Sequence, residues 1–347
     1  MKKLLSIILA LLLVFSVCAC SGGHGESGEE GKTPEAAESE KPIIYGISRT
    51  VQSLGTGGDG GTVMQSTATN YGENGLVTSL EVSMNGSTYT ITPKYTLDEK
   101  GTPESVITGE IDGTLYEAAF ENTYEGGKLK SVLVSSVKLT YGNAVRELLE
   151  EENISSAAQV SGISTLLNMV SNFTGYRDVT MTVKNMDARF RWDSRSRLVY
   201  RTQLQPGGTI VTENRYEGDR LTFTSTDTKM NGISSLTAVT FNEKNQPATL
   251  AVRSGDKEAT VTIEYTEGTD PFTGLKISEG KFAKVTGDES AVSVGVTYIT
   301  YKYNESGVMT SSTDQNGSVT EYDAQGRAVK VIQAAGAMTI TYETTYR

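Results

Sequence analysis

A turn signature recurs down this chain, and its spacing limits the fold more than any other feature. Its fullest form is Tyr322-Asp323-Ala324-Gln325-Gly326-Arg327. An aromatic ends a strand, the Asp carboxylate bonds nearby backbone to start a turn, and Gly supplies the positive φ that ends it. Imperfect copies begin at Tyr71, Leu97, Tyr124, Trp192, Tyr216, Phe241 and Tyr303, with a weaker one at Tyr265. Most steps are 24 to 27 residues, and the last is 19. A period of that size marks a repeat architecture. Near the midpoints lie Asn85-Gly86, Asp112-Gly113, Gly207-Gly208, Asn231-Gly232, Gly255-Asp256 and Asn316-Gly317, which read as two-residue hairpin turns of a different kind. Each period then holds two turns and two strands. The expected fold is all-β: a long antiparallel up-and-down meander, curled or folded on itself. All aromatic turns lie at one end of the sheet and all Gly-pair turns at the other.

The strands carry the matching alternation. Val261, Ile263 and Tyr265 alternate with Thr260, Thr262 and Glu264; Ile299, Tyr301 and Tyr303 alternate with Tyr298, Thr300 and Lys302. Tyr89, Ile91, Tyr95 and Leu97 read the same way. Period two with one wet face is the antiparallel pattern. The motif aromatic falls on the apolar face, where it caps the core with its polar tip toward water. About twenty one-sided strands cannot stay a flat open sheet, so the sheet must twist and its apolar face must meet something.

The meander breaks between residues 141 and 178. Asn143 to Glu152 carries Ala144, Val145, Leu148 and Leu149 on one side; Ser156 to Phe173 carries Val160, Ile163, Leu167 and Val170 at helical spacing. Two amphipathic helices are expected there, the second capped by Ser156 and both packed on the sheet's apolar, concave side. Glu150-Glu151-Glu152 reads as a solvated helix end.

Residues 1–20 read as an export signal: Lys2 and Lys3, then an uncharged apolar run from Leu4 to Val17 too short for a resident membrane span. The run ends in Val17-Cys18-Ala19-Cys20, which resembles the lipobox of bacterial lipoproteins and implies lipidation at Cys20. Residues 21–42 hold no aliphatic or aromatic side chain larger than Ala, so they read as a disordered acidic tether. Its span as a flexible chain is roughly 25 Å. The Gly55 to Gly61 stretch lacks the Lys-Ser/Thr of a phosphate loop and reads as a flexible loop. The expected domain order is completed by an N-terminal β lobe at 43–140, the helical insertion at 141–178 and a C-terminal β lobe at 179–347.

Composition removes several chemistries. Both cysteines, Cys18 and Cys20, lie in the leader, and the one histidine, His24, lies in the tether. The body therefore offers no disulfide, no cysteine nucleophile, no His-dependent triad and no His/Cys zinc site. No cofactor or metal site is expected. A formal net charge of −11 without basic runs argues against nucleic acid and against electrostatic attachment to anionic lipid.

The unit from Asn316 to Arg327 resembles the YD repeat of the RHS family: a Gly, several residues, then Tyr-Asp-x-x-Gly-Arg, with Ala328 in place of the usual Leu. Earlier copies keep the aromatic–acid–x–x–Gly skeleton without the Arg. The resemblance is fullest at 300–332 and implies a surface or secreted β-strand shell rather than a reaction. Asp270-Pro271-Phe272-Thr273-Gly274-Leu275 is similar to a core signature of such proteins, with one residue more, and reads as a loop.

These readings lead to an exported, lipid-anchored cell-envelope protein with a non-catalytic binding or scaffolding role. Its partners would be the membrane, through Cys20, and an envelope protein, glycan or lipid. One alternative is a carrier of an apolar ligand in a half-open sheet. Another is a carboxylate-dependent hydrolase, for which the spacing singles out no acidic pair. The motif residues Tyr71, Tyr124, Trp192, Tyr216, Phe241, Tyr303, Tyr322, Asp323 and Gly326 read as structural turn positions.

Overall fold

In the computed structural model, which describes residues 45–54, 62–84, 86–109, 113–142, 155–292, 298–335 and 338–347, one five-residue turn is used again and again. Asp323 shows it. Its N–H donates to the Arg327 carbonyl, its carbonyl accepts from Gly326, and its Oδ1 accepts from the Gln325 and Arg327 N–H groups. Asp98, Asp193, Asn242 and Asp314 make the same four bonds at their own turns. The fourth residue is left-handed, Gly326 at φ 73° and Ser196 at φ 63°. The Asx side chain thus supplies the acceptors that the reversing backbone lacks.

The described residues form twenty-two strands. The first eight are β1 (Tyr45–Leu54), β2 (Thr62–Tyr71), β3 (Val77–Met84), β4 (Ser87–Ile91), β5 (Lys94–Leu97), β6 (Pro103–Gly109), β7 (Leu115–Glu125) and β8 (Lys128–Thr140). Helix α1 (Ser155–Val170) follows, then β9 (Thr180–Val183), β10 (Arg189–Trp192), β11 (Leu198–Gln205), β12 (Gly208–Glu217), β13 (Arg220–Met230), β14 (Ile233–Phe241) and β15 (Pro247–Ser254). The last are β16 (Lys257–Thr269), β17 (Lys276–Gly287), β18 (Tyr298–Tyr303), β19 (Met309–Asp314), β20 (Val319–Tyr322), β21 (Ala328–Ala335) and β22 (Met338–Tyr346).

All lie in one curled sheet. Following the hydrogen bonds, β4, β3 and β2 lead to β1, β1 pairs with β22, and the order then runs back through the meander to β5. The two edge strands, β4 and β5, are separated in the chain only by Thr92-Pro93. They are halves of one bent strand, and Pro93, which has no N–H to donate, marks the bend. The sheet is thus curled without being closed by hydrogen bonds, and each edge is only four or five residues long. The bend also overturns the alternation read across 88–97: Tyr89 and Leu97 are exposed, not on the apolar face.

The curl has a local cause. At Tyr71, Leu97, Tyr124, Trp192, Tyr216, Phe241, Tyr303 and Tyr322 the register with the next strand slips by one residue. Each aromatic turn is therefore flanked by a β-bulge, always where the strand meets the same end of the sheet. A bulge increases right-handed twist and bends its strand, so one bulge per repeat on one rim curls the whole sheet. Where the extra residue is Thr, its hydroxyl donates to the carbonyl preceding the aromatic: Thr78 to Asn70, Thr222 to Arg215 and Thr310 to Lys302, at 3.1 to 3.2 Å.

The turns are less uniform than the sequence suggested. Those after Tyr124 and Tyr216 are two-residue turns, Gly126-Gly127 and Gly218-Asp219. Asp314 to Ser318 is a five-residue Asx turn, not the two-residue turn read from Asn316-Gly317. Tyr265 makes no turn at all; β16 runs on to Thr269 and the chain reverses at Asp270–Leu275, the stretch read as a loop.

Between β8 and β9 the chain crosses through α1, and these two strands are the parallel pair. One helix is described here, and the expected first helix and Glu150–Glu152 lie outside the described residues. The helix begins at Ser155, so Ser156 lies in its first turn and is not the cap. From Ile163 to Val170 it is buried on nearly every side. Ile163, Leu166, Leu167 and Val170 pack with Val106, Tyr116, Phe120, Val132, Phe190 and Trp192, while Met169 packs with Tyr71 and Val77 on the other flank. A helix buried on nearly every side is a core element, here filling one part of the curl. At Gly162 a Cβ would lie 2.3 Å from the Tyr116 ring, so the helix and β7 approach as closely as a bare backbone allows. Across β12 to β15 most residues are only half-buried, and no described helix fills that part.

Candidate functional site

The motif residues separate into two groups. On the helix side they are spent on packing. Tyr71 is buried against Tyr45, ring centroids 5.7 Å apart. Trp192 is 1% exposed, donates Nε1–H to the Ser171 carbonyl at 2.8 Å and packs on Tyr176. The Tyr124 hydroxyl donates to the Asp98 carboxylate of the preceding turn, and Lys100 lies over its ring at 3.6 Å. Asp98 is held below its usual range. Burial alone would raise it, but the bonds from Tyr124, Thr102, Lys100 and Asn122 prevail.

Neighbouring turns are tied laterally. Arg197 donates Nε–H to Asp193 at 2.7 Å, donates to the Gly218 carbonyl at 2.8 Å and lies 4.0 Å over the Tyr216 ring. Arg327 repeats this, with Asp323 at 2.7 Å and Tyr346 at 4.3 Å. The copy at Trp192 thus keeps the motif arginine that the sequence reading did not credit to it. Ser196 stands where Gly was expected and hides the match.

On the other side Phe241, Tyr303 and Tyr322 come together around a cavity of about 640 Å³. Leu221 and Phe241 of β13–β14 face Met309, Tyr322, Ala328 and Val331 of β19–β21 across it. These strands are not neighbours in the sheet, so the cavity lies within the curl. Gly307 and Gly326 place it at the aromatic-turn rim. Its lining is mostly apolar, with a polar mouth where Glu243, Lys244, Asn245, Glu267 and Lys276 gather. The volume is that of a small-molecule site.

A buried polar network braces this mouth. Gln246, 1% exposed, donates Nε2–H to Ser278 Oγ at 2.9 Å and to the Tyr303 hydroxyl at 2.7 Å, and accepts from Asn242. Glu267 accepts from Lys244 Nζ at 2.8 Å and from Ser278 Oγ at 3.2 Å. Lys244, by its hydrogen bond and charge, holds Glu267 below the usual carboxylate range, which favours its ionised form. Burial pushes the Tyr303 hydroxyl up to about 12, so it stays protonated. Among the described residues no cluster of three or more His, Cys, Asp and Glu side chains is placed to hold a metal. Cys20 lies outside them. No described helix is long and apolar enough to cross a membrane.

The sequence did not point to this cavity. It results from which strands the curl sets opposite each other, and the one available signal was the apolar character of Phe241, Tyr303, Met309 and Val331 on alternating positions.

No protein-family model and no curated protein matches the chain. Among solved structures it is similar to a porin-like protein from Bacteroides uniformis, at 8% identity, covering 89% of this chain and 99% of that one, TM-score 0.23. It is similar to TcdB2-TccC3 at 14% identity, covering 77% of this chain and 14% of that one, TM-score 0.24. The Photorhabdus luminescens Tc holotoxin pore gives 14% identity, 77% and 13% coverage, and TM-score 0.25. Likenesses at this level establish neither a shared fold nor a shared function.

Proposed function

We propose that this chain is a lipid-anchored cell-envelope protein with a non-catalytic binding role, and that the cavity within the curl holds an apolar ligand. The observation that carries the reading is the contrast between the two parts of the sheet. One is filled by α1 and its own aromatic side chains; the other leaves about 640 Å³ lined by Phe241, Tyr303, Met309, Tyr322 and Val331. An apolar recess of this size with a few polar groups at its mouth has the form of a small-molecule site. The anchor at Cys20 rests on the resemblance of residues 17–20 to a lipobox. Native mass spectrometry of the protein released from cells tests the binding role. A co-purifying apolar mass is the expected result, and a clean apo mass leaves a scaffolding role instead. Cys20→Ala tests the anchor by its loss from the membrane fraction.

A further inference from the structure

The hairpin of β16 and β17 stands out from the rim. Elsewhere the turn follows the motif aromatic directly; here the strand runs four residues beyond Tyr265, about 13 Å at the usual rise. Residues 266–269 and 271–274 are all exposed, so the end of the hairpin stands clear of the sheet. At its tip Phe272 is 96% exposed, against 68% for Ile233, the next most exposed large apolar side chain described.

This is not a loose end. Asp270, 8% exposed, accepts the Phe272 N–H at 2.9 Å and the Thr273 N–H at 3.2 Å on Oδ1, while Lys302 Nζ pairs with its Oδ2 at 3.1 Å. The tip is thus set before any contact is made, which lowers the cost of docking. From Pro271 to Leu275 it carries no charge. The carboxylates behind it, Asp270 and Glu267, are each held by a lysine, and the first charge beyond it on β17 is the cation Lys276. Glu267 and Lys276 of this hairpin line the mouth of the cavity.

We infer that this tip inserts Phe272 into the interfacial layer of a lipid bilayer and sets the cavity mouth against the membrane surface. A single aromatic in the interface is a weak anchor alone and becomes effective when a second attachment holds the chain nearby. The attraction is apolar, in keeping with the acidic net charge. It extends the proposed reading of the cavity, whose apolar occupant would come from lipid, yet it is tested separately.

The test is tryptophan fluorescence of the full chain bearing Phe272→Trp on phosphatidylcholine vesicles. The one native tryptophan, Trp192, is 1% exposed and serves as an internal reference unaffected by lipid. The expected result is a blue shift of the introduced indole and its quenching by bromine on the lipid chains, with wild-type emission unchanged. Phe272→Ser is expected to weaken vesicle binding by about tenfold when Cys20 is replaced by Ala, from loss of the buried aromatic surface. Absence of lipid quenching in a chain that floats with the vesicles would overturn the proposal. So would a blue shift produced by a soluble protein and not by lipid. A ligand found in the cavity alongside an unquenched indole would leave the binding role standing and remove the docking one.

Discussion

Arg327 lies over the ring of Tyr346, its guanidinium carbon 4.3 Å from the ring centroid, while its Nε–H is held by Asp323 at 2.7 Å. The motif arginine thus fastens its own turn to the neighbouring strand. Arg197 does the same between Asp193 and Tyr216.

Arg327→Ala is therefore expected to cost about 1 kcal/mol, from a partly exposed ion pair and one cation–π contact. Arg327→Lys should recover less than half, because an ammonium has neither the plane nor the fork. Hydrogen exchange at the 323–327 amides measures both. Unchanged protection in Arg327→Ala would show that the arginine ties nothing.

The bulge hydroxyls give a second check. Thr222→Val and Thr310→Val each remove a donor to a backbone carbonyl at 3.1 to 3.2 Å, at about 0.5–1 kcal/mol apiece. Thr237→Val, on an exposed position in the middle of β14 with no register slip beside it, should be neutral or slightly stabilising. Equal effects at all three sites, read from denaturant midpoints, would count against a special role for the bulge.

Much of the scaffold was legible because turn chemistry is local. Asp323, Gly326 and their copies needed only their own neighbours to be read, and period two within strands such as β16 survives in the structure as alternate burial. What escaped was set by distance or by substitution. The bulge beside each aromatic is a property of two strands together. The bend at Thr92-Pro93 had a visible proline, but its consequence for Tyr89 and Leu97 depended on which strand each half would pair with. The cavity depended on β13–β14 facing β19–β21, a relation between segments about seventy to a hundred and fifteen residues apart in the chain.

Two glycines separate close contact from backbone strain. Gly162→Ala would set a methyl 2.3 Å from the Tyr116 ring, and is expected to destabilise by about 1–3 kcal/mol despite better helix propensity. Gly307→Ala meets no atom within 4 Å but sits at φ 79°, so its cost is conformational alone, about 1–2 kcal/mol. Tyr116→Leu should relieve part of the first, since Leu139 Cδ2 still lies 2.7 Å from the added methyl, and leave the second untouched, as thermal unfolding of the double variants would register.

Acid should loosen the rim. The folded values of Asp98 and Glu267 lie below those of the unfolded chain, so their stabilisation is present above about pH 4 and fades as pH falls through the folded values. The amides of Lys100 and Thr102 report this by hydrogen exchange. Asp98→Asn keeps an acceptor for the turn and should abolish its acid sensitivity; a variant as sensitive as wild type would assign the loosening elsewhere.

Filling the cavity tests its use. Val331→Trp, on β21 in the lining, should leave the sheet folded by circular dichroism and remove any apolar mass that co-purifies with the wild type. Retention of that mass would place the ligand outside the curl.

Among the described strands the one parallel pair, β8 with β9, has a consequence for how such a sheet can lengthen. Strand direction reverses at every other pairing and is carried unchanged through the bend at Thr92-Pro93. A count from β1 round to β22 therefore returns antiparallel only if strands enter or leave two at a time. Adding a single strand would set β22 parallel to β1 and break the seam between the first and last strands. Adding a whole hairpin, about one repeat of sequence, would not. Only additions of two strands at a time let such a sheet widen while its seam between β1 and β22 stays antiparallel.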